Sequence, residues 1–308
     1  MGKRYDIVPP QLLPGRVVTV PQRGEFFVRH SVHTDPAKPT VLLLHGWTAS
    51  SDLNFFTAYA ELAEQFSVLG IDHRGHGRGL RPDVAFTLED CADDAAAVCA
   101  VLGITSVIAV GYSMGGPIAM LTSRRHPQLV SGLVLQATAM EWRATARERS
   151  RFRMSRLLGP ITRRFVRPST VRMVFARRIS PRHPLRTHLG WMLAEWRRND
   201  PWHMAQAGRA IAEFDARPWV GGLQVPVCVV LTTRDQLVAP RKQRALAEAT
   251  RAEVIPLDGD HFVNVAAPQL FSVTTVRAVQ VVQTVRVVHS EHSSQAKFRA
   301  PATAPSAH

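Results

Sequence analysis

The stretch Val107-Ile108-Ala109-Val110-Gly111-Tyr112-Ser113-Met114-Gly115-Gly116 decides how the rest of this chain is read. Val107–Val110 is a short apolar run of the kind that forms a buried strand, and the pattern from Met114 to about His126 predicts a helix. Between them, Gly111-Tyr112-Ser113-Met114-Gly115 fits G-x-S-x-G. Five residues alone match that pattern often by chance; a strand directly before and a helix directly after make it specific. A serine in so tight a turn is pushed into the open. Glycine on either side lets neighbouring backbone approach without a Cβ clash. The helix N-terminus adds N–H groups and positive dipole where an oxyanion would form. Ser113 is the candidate nucleophile.

Working outward, apolar runs and helical patterns alternate, as expected for a mainly parallel sheet covered by helices. Val17–Val20 and Glu25–His30 read as an opening antiparallel pair. Thr40–Leu44, Ser67–Ile71, Gly132–Gln136, Val225–Leu231 and Glu253–Leu257 read as further strands. Leu53–Gln65, Leu88–Leu102 and Ala239–Ala249 read as helices. Pro268–Val288 takes the place of a last helix despite a Val- and Thr-rich composition that favours helix weakly. Trp142 to Gln224 separates two of the buried strands and holds five of the six tryptophans. A structureless loop of that length is improbable inside a compact domain, so a helical cap over the sheet is expected.

These motifs resemble the α/β-hydrolase fold family over roughly Val17 to Phe271, the cap apart. The resemblance implies an eight-stranded-type, mainly parallel sheet flanked by helices, with an inserted cap. The expected organisation is a core in two parts, 1–139 and 225–289, a cap over 140–224, and a disordered polar tail over 290–308. Family members carry the nucleophile, the acid and the histidine in that chain order. Asp235, ending Val229-Val230-Leu231-Thr232-Thr233-Arg234-Asp235, stands at the family position of the acid. His261, in Asp258-Gly259-Asp260-His261-Phe262, stands at that of the general base. Asp258 and Asp260 are rivals for the acid, but neighbours that close are poorly placed to reach the far ring nitrogen. Leu44-His45-Gly46-Trp47 resembles the family's oxyanion loop, which makes the backbone N–H groups of Trp47 and Met114 the expected donors. His45 itself reads as a structural, hydrogen-bonded residue.

Asp72-His73-Arg74-Gly75-His76-Gly77-Arg78-Gly79 is similar to the family's D-x-R-G-x-G loop, with Arg78-Gly79 where relatives usually carry a serine. His73 and His76 lack an evident third ligand, so no metal is expected, and no cofactor either.

The chemistry follows from the residue types. A serine hydroxyl needs a base to take its proton; a histidine can do so near neutral pH, and a buried aspartate fixes its tautomer. A serine rather than an aspartate nucleophile disfavours epoxide and haloalkane chemistry, leaving acyl transfer. Hydrolysis of carboxylic esters, lipid esters and lactones included, is the leading expectation. Cofactor-free perhydrolase chemistry, carbon–carbon bond hydrolysis and a non-catalytic binding protein are the alternatives.

Composition bounds the setting. The 308 residues carry a formal charge of +14, and Lys3, Lys38, Lys242 and Lys297 are the only lysines against 34 arginines. Eighteen of those arginines fall between Met140 and Gln224, against six acidic residues. A solvated face enlarged by arginine-biased coding is one reading; a surface drawn to anionic membrane is another, since aromatics interleave with the charge. No nucleic-acid motif is present, so no such partner is expected. Met1–Pro14 has neither an apolar core nor a small-residue cleavage site, and Cys91, Cys99 and Cys228 sit in apolar stretches. A cytoplasmic, reducing setting is expected.

Overall fold

The computed structural model describes residues 6–143, 146, 148, 150 and 168–298. Eight strands form one sheet: β1 (Gly15–Val20), β2 (Gly24–Ser31), β3 (Thr40–Leu44), β4 (Ser67–Ile71), β5 (Val107–Tyr112), β6 (Val130–Gln136), β7 (Val227–Thr232) and β8 (Glu253–Leu257). Their spatial order is β1-β2-β4-β3-β5-β6-β7-β8. β1 and β2 pair antiparallel, β2 runs antiparallel to β4, and every later pairing is parallel.

Central strands are apolar throughout because helices cover both faces of a parallel sheet. Side-chain alternation sends Leu42, Leu44, Leu69, Ile71, Ala109, Leu135 and Val229 into one core cluster. It sends Val41, Leu43, Val68, Ile108, Val110, Val134 and Val230 into the other. Each such buried Leu, Ile or Val contributes ~1.5–3 kcal/mol relative to exposure. The free thiols of Cys91, Cys99 and Cys228 are buried in these layers, and burial pushes those of Cys99 and Cys228 up to about 12.

Helices α1 (Ser51–Phe55) and α2 (Tyr59–Ala63) replace the single helix expected over 53–65. Leu53, Phe55, Phe56, Ala58 and Tyr59 are all buried, and a turn between the two helices presents them all to the core. Thr57 Oγ1 fixes that turn by donating to the Asn264 carbonyl at 3.0 Å. Helix α3 (Leu88–Val101) opens with a capping box in which Thr87 and Asp90 satisfy each other's backbone N–H. Helix α4 (Gly115–Arg125) follows β5 directly.

Between β6 and β7 lie α5 (Pro168–Arg178), a 3₁₀ turn (Pro184–His188), α6 (Leu189–Trp196), α7 (Pro201–Glu213) and a second 3₁₀ turn (Val220–Gly222). Asp200 caps α7 by accepting from the Trp202 and His203 N–H groups, with Pro201 in the first turn. The start of the insert meets its later part: the backbones of Glu141 and Asp215 form a single antiparallel bridge, and the Ala216 N–H donates to the Met140 carbonyl at 2.8 Å. Phe152, Phe165 and the arginines of 151–167, part of the basic stretch singled out in the sequence, lie outside the described residues.

After β7 come α8 (Pro240–Thr250), β8, the short α9 (Val263–Ala266) and α10 (Pro268–Phe298). Helix α10 forms despite its β-branched residues because Phe271, Thr275, Val276, Ala278, Val279 and Val282 are buried at helical spacing. Tertiary packing overrides propensity there. The helix also passes Val288 and takes in 290–298, where a disordered tail was expected to begin. Among the described residues no helix is long and apolar enough to cross a membrane.

Candidate active site

The strand-to-helix turn at Ser113 is strained. Ser113 has φ +53°, the left-handed region that costs a non-glycine residue about 1–3 kcal/mol. Three bonds hold it there. Its N–H donates to the Gln136 carbonyl at 2.9 Å, and its carbonyl accepts from Gly116 N–H at 3.0 Å and Thr138 Oγ1 at 2.7 Å. Close backbone contacts explain the flanking glycines. A Cβ on Gly111 would run into the Gly115 carbonyl, and one on Gly115 into the Leu44 carbonyl at the end of β3.

The ends of β7 and β8 bring the partners in. His261 Nε2 lies 3.0 Å from Ser113 Oγ, and His261 Nδ1 lies 2.7 Å from Asp235 Oδ2. A carboxylate can only accept, so Nδ1 carries the ring proton and Nε2 is left to accept from the serine hydroxyl. The three predicted side chains are thus in one hydrogen-bonded line. Asp258 and Asp260 turn elsewhere. Asp258 pairs with Arg234 at 2.9 Å, while Asp260 pairs with Arg178 and accepts the Phe262 N–H at 2.8 Å.

Asp235 is satisfied on every side. Its Oδ1 accepts the N–H groups of Leu237 at 2.8 Å and Val238 at 2.9 Å; its Oδ2 also accepts Thr232 Oγ1–H at 2.9 Å. Burial alone would push this carboxyl up, but the His261 imidazole and the two backbone donors outweigh it and hold it below the usual carboxylate range. Gln243 sets the direction of the chain. Its Nε2 donates to Thr232 Oγ1 at 2.8 Å, so the threonine proton is turned to Asp235. Tyr112 completes the frame by donating to the His261 carbonyl at 2.9 Å.

Met114 is buried and caps α4 immediately after Ser113. The backbone at Gly46 also abuts the serine, since a Cβ there would stand 3.2 Å from Ser113 Cβ. Trp47, the other expected donor, follows Gly46 directly. The Gly46 N–H is fixed by Asn54 Oδ1 at 2.7 Å. Asn264 Nδ2 ties the same helix, through the Leu53 and Asn54 carbonyls at 3.2 Å each, to the segment just after His261.

His45 is structural here, as its sequence context suggests. His73 N–H donates to its Nε2 at 3.0 Å, so the ring proton is on Nδ1, 2.8 Å from the Gly46 carbonyl. Burial lowers this imidazole to about 4, so it stays neutral. It joins His73 and His76 in a cluster, with ring centroids 4.4 and 5.1 Å from its own and the rings tilted and edge-on. With both its nitrogens engaged, His45 is no third ligand for that pair.

Asp72, the first residue of the D-x-R-G-x-G loop, accepts N–H groups from Ser51 and Arg78 at 2.8 Å each. Burial and the nearby Asp52 raise it to about 7. Arg78, at the position where relatives usually carry serine, reaches Glu195 on α6 with two bonds of 2.9 and 2.6 Å and Asp52 at 3.3 Å. Arg29 holds Asp52 from the other side at 2.9 and 2.7 Å. Glu195 carries no local sequence signal for this, being one of six acidic residues among the arginines of 140–224.

Comparison with known proteins shows the family and the fold. The family model described as "alpha/beta hydrolase fold" matches residues 39–268. An uncharacterized protein of Mycobacterium bovis is 30% identical over 130 residues, which cover 42% of this chain and 36% of that protein. A bifunctional esterase/perhydrolase of Acinetobacter calcoaceticus is 36% identical over 94 residues, 29% of this chain and 32% of that protein. The chain therefore spans about a third of the length of these curated relatives. Among solved structures, an esterase from Exiguobacterium antarcticum superposes with a TM-score of 0.74 at 20% identity, covering 87% of this chain and all of that one.

Proposed function

We propose that this chain, which belongs to the α/β-hydrolase fold family, is a serine hydrolase of carboxylic esters working through an acyl-enzyme. The observation that carries the proposal is the hydrogen-bonded line from Ser113 through His261 to Asp235. His261 Nε2 takes the hydroxyl proton as Ser113 Oγ attacks the ester carbonyl. The resulting imidazolium is stabilised by Asp235, which remains a carboxylate throughout. The tetrahedral oxyanion lies against the N–H groups of Trp47 and Met114, each worth ~3 kcal/mol of transition-state stabilisation. His261 then gives its proton to the departing alkoxide. Water, deprotonated by the same imidazole, attacks the acyl-enzyme; the acid leaves and Ser113 recovers its proton.

Lipid esters and lactones fall within this substrate class. A second reading, perhydrolysis, has a specific basis: the Acinetobacter calcoaceticus relative is named as both esterase and perhydrolase. Hydrogen peroxide would replace water in attack on the same acyl-enzyme, with no cofactor required. Fluorophosphonate labelling tests the nucleophile. Labelling lost in Ser113→Ala and an acyl-ester panel hydrolysed by the wild type are expected; a wild type that resists labelling sinks the proposal in favour of a binding protein. Adding hydrogen peroxide to the panel separates the two reactions by product, acid or peracid.

A further inference from the structure

The loop that carries Trp47 is held from outside the sheet. Thr48 has φ +62°, an unfavourable conformation for a β-branched residue. Local bonds fix Gly46, before Trp47. After it, the Thr48 carbonyl accepts from Asn199 Nδ2 at 2.8 Å, a side chain 151 residues away. The same amide's Oδ1 accepts the Gly77 N–H at 3.0 Å. Only one orientation of the amide works, because reversing it would set oxygen against oxygen and N–H against N–H. Asn199 thus bridges the loop after β3 and the loop after β4.

A second tie reaches the same residue. Trp47 Nε1 donates to the Met204 carbonyl on α7 at 2.9 Å. The ring lies against Gly208, where a Cβ would come within 2.9 Å of it. Residues 195–204 make other polar contacts with the Asp72–Pro82 region: Glu195 with Arg78, the Arg198 carbonyl with Arg81 Nη2 at 2.9 Å, and His203 Nε2 with the Pro82 carbonyl at 2.9 Å. That is more attachment than covering a substrate requires, and two of the bonds fall on Trp47 itself and on Thr48, the residue directly after it.

We infer that Asn199, supported by the Trp47–Met204 bond, is a positioning residue that aims the Trp47 backbone N–H at the oxyanion, so that the seated cap completes the oxyanion hole. Asn199 touches neither Ser113 nor His261 and acts through Thr48. The inference rests on the proposed nucleophile role of Ser113, and the test separates the two.

Asn199→Asp keeps the size of the side chain and an acceptor for Gly77 but removes the donor to Thr48. In the purified full chain, hydrolysis of p-nitrophenyl acetate is expected to lose about tenfold or more in kcat with KM within about twofold. Affinity for an aryl trifluoromethyl ketone, which forms a tetrahedral adduct on serine, should weaken by a similar factor. Asn199→Gln, which can still donate and accept, should recover part of kcat. Trp47→Phe keeps the ring on Gly208 and loses the Met204 bond; a smaller loss with the same kcat-against-KM split is expected, and it carries the test if Asn199→Asp does not fold. Unchanged kcat and ketone affinity in the folded variants, with only the melting temperature lowered, would overturn the inference while leaving Ser113 intact. A wild type that resists fluorophosphonate would instead remove the premise.

Discussion

The two sides of the site are held in different ways. On one side Ser113, Asp235 and His261 each lie within four residues of the end of β5, β7 or β8, and most of their supports come from the ends of β6 and β7. Thr232, Leu237 and Val238 serve Asp235; Gln136 and Thr138 serve Ser113. On the other side, Trp47 also lies just past a strand, yet its loop is braced by Asn199 and Met204. The sheet therefore holds the hydrogen-bonded line of Ser113, His261 and Asp235, whereas the insert braces the loop of the proposed oxyanion donor. A cap shift would leave the relay assembled and blunt the electrostatic half of catalysis.

The largest effect should come from the sheet side. In Asp235→Asn the amide oxygen meets the Leu237 and Val238 N–H groups, which turns the NH₂ toward His261 Nδ1. That forces the ring proton onto Nε2, where it can no longer accept from Ser113. A fall of about 10⁴-fold in kcat is expected, with a somewhat lower melting temperature because the buried Thr232 hydroxyl loses its acceptor. Retained activity in this variant would break the division between the two sides.

On the cap side the expected loss is in stability. Arg78→Ala leaves Glu195 buried with only the half-exposed Arg198 as partner. Such a stranded charge costs about 3 kcal/mol, readable as a lower urea midpoint. The Arg78→Ala, Glu195→Ala double variant should lose less than the sum of the single ones. Full additivity would mean that the pair does not couple the cap to the loop.

The smallest effect is the pH dependence of the cluster of His45, His73 and His76. Burial lowers His45 to about 4, and His73 and His76 well below the ordinary histidine range. The folded state then binds fewer protons than the unfolded one, so their contribution is full above about pH 6.5 and is lost as pH falls toward 4. Asp72, raised to about 7, has the opposite sign, since its folded form binds the extra proton between about pH 4 and 7. With three histidines against one carboxyl, the net expectation is a melting temperature that drops as pH falls from 7 to 4. A midpoint that rises instead would show Asp72 dominating.

Much of this was legible in the residues. β3, β4 and β8 have the bounds that their apolar runs imply, and the order of Ser113, Asp235 and His261 marked the candidate site, because strand ends in a parallel sheet converge by topology. Asp235 stood at the family position of the acid, and short reach counted against Asp258 and Asp260. Helix 53–65 did not survive as one helix, because burying Phe55, Phe56 and Tyr59 together needs a turn that no local signal marks. Helix α10 runs on through 290–298, where the polar composition pointed to a tail.

By itself, the sequence marked the strands and the turn at Ser113, since apolar runs and glycine-flanked turns act over a few neighbours. Asp235 and His261 were marked by the residue order of the family that the chain resembles. Only the tertiary structure decided that Asn199, Glu195, Asn264 and Gln243 support the site. Their partners lie up to 211 residues away, and an amide or carboxylate in sequence looks the same whether it faces water or a buried backbone. A hydrogen bond depends on where both ends arrive, which only the assembled sheet and insert fix.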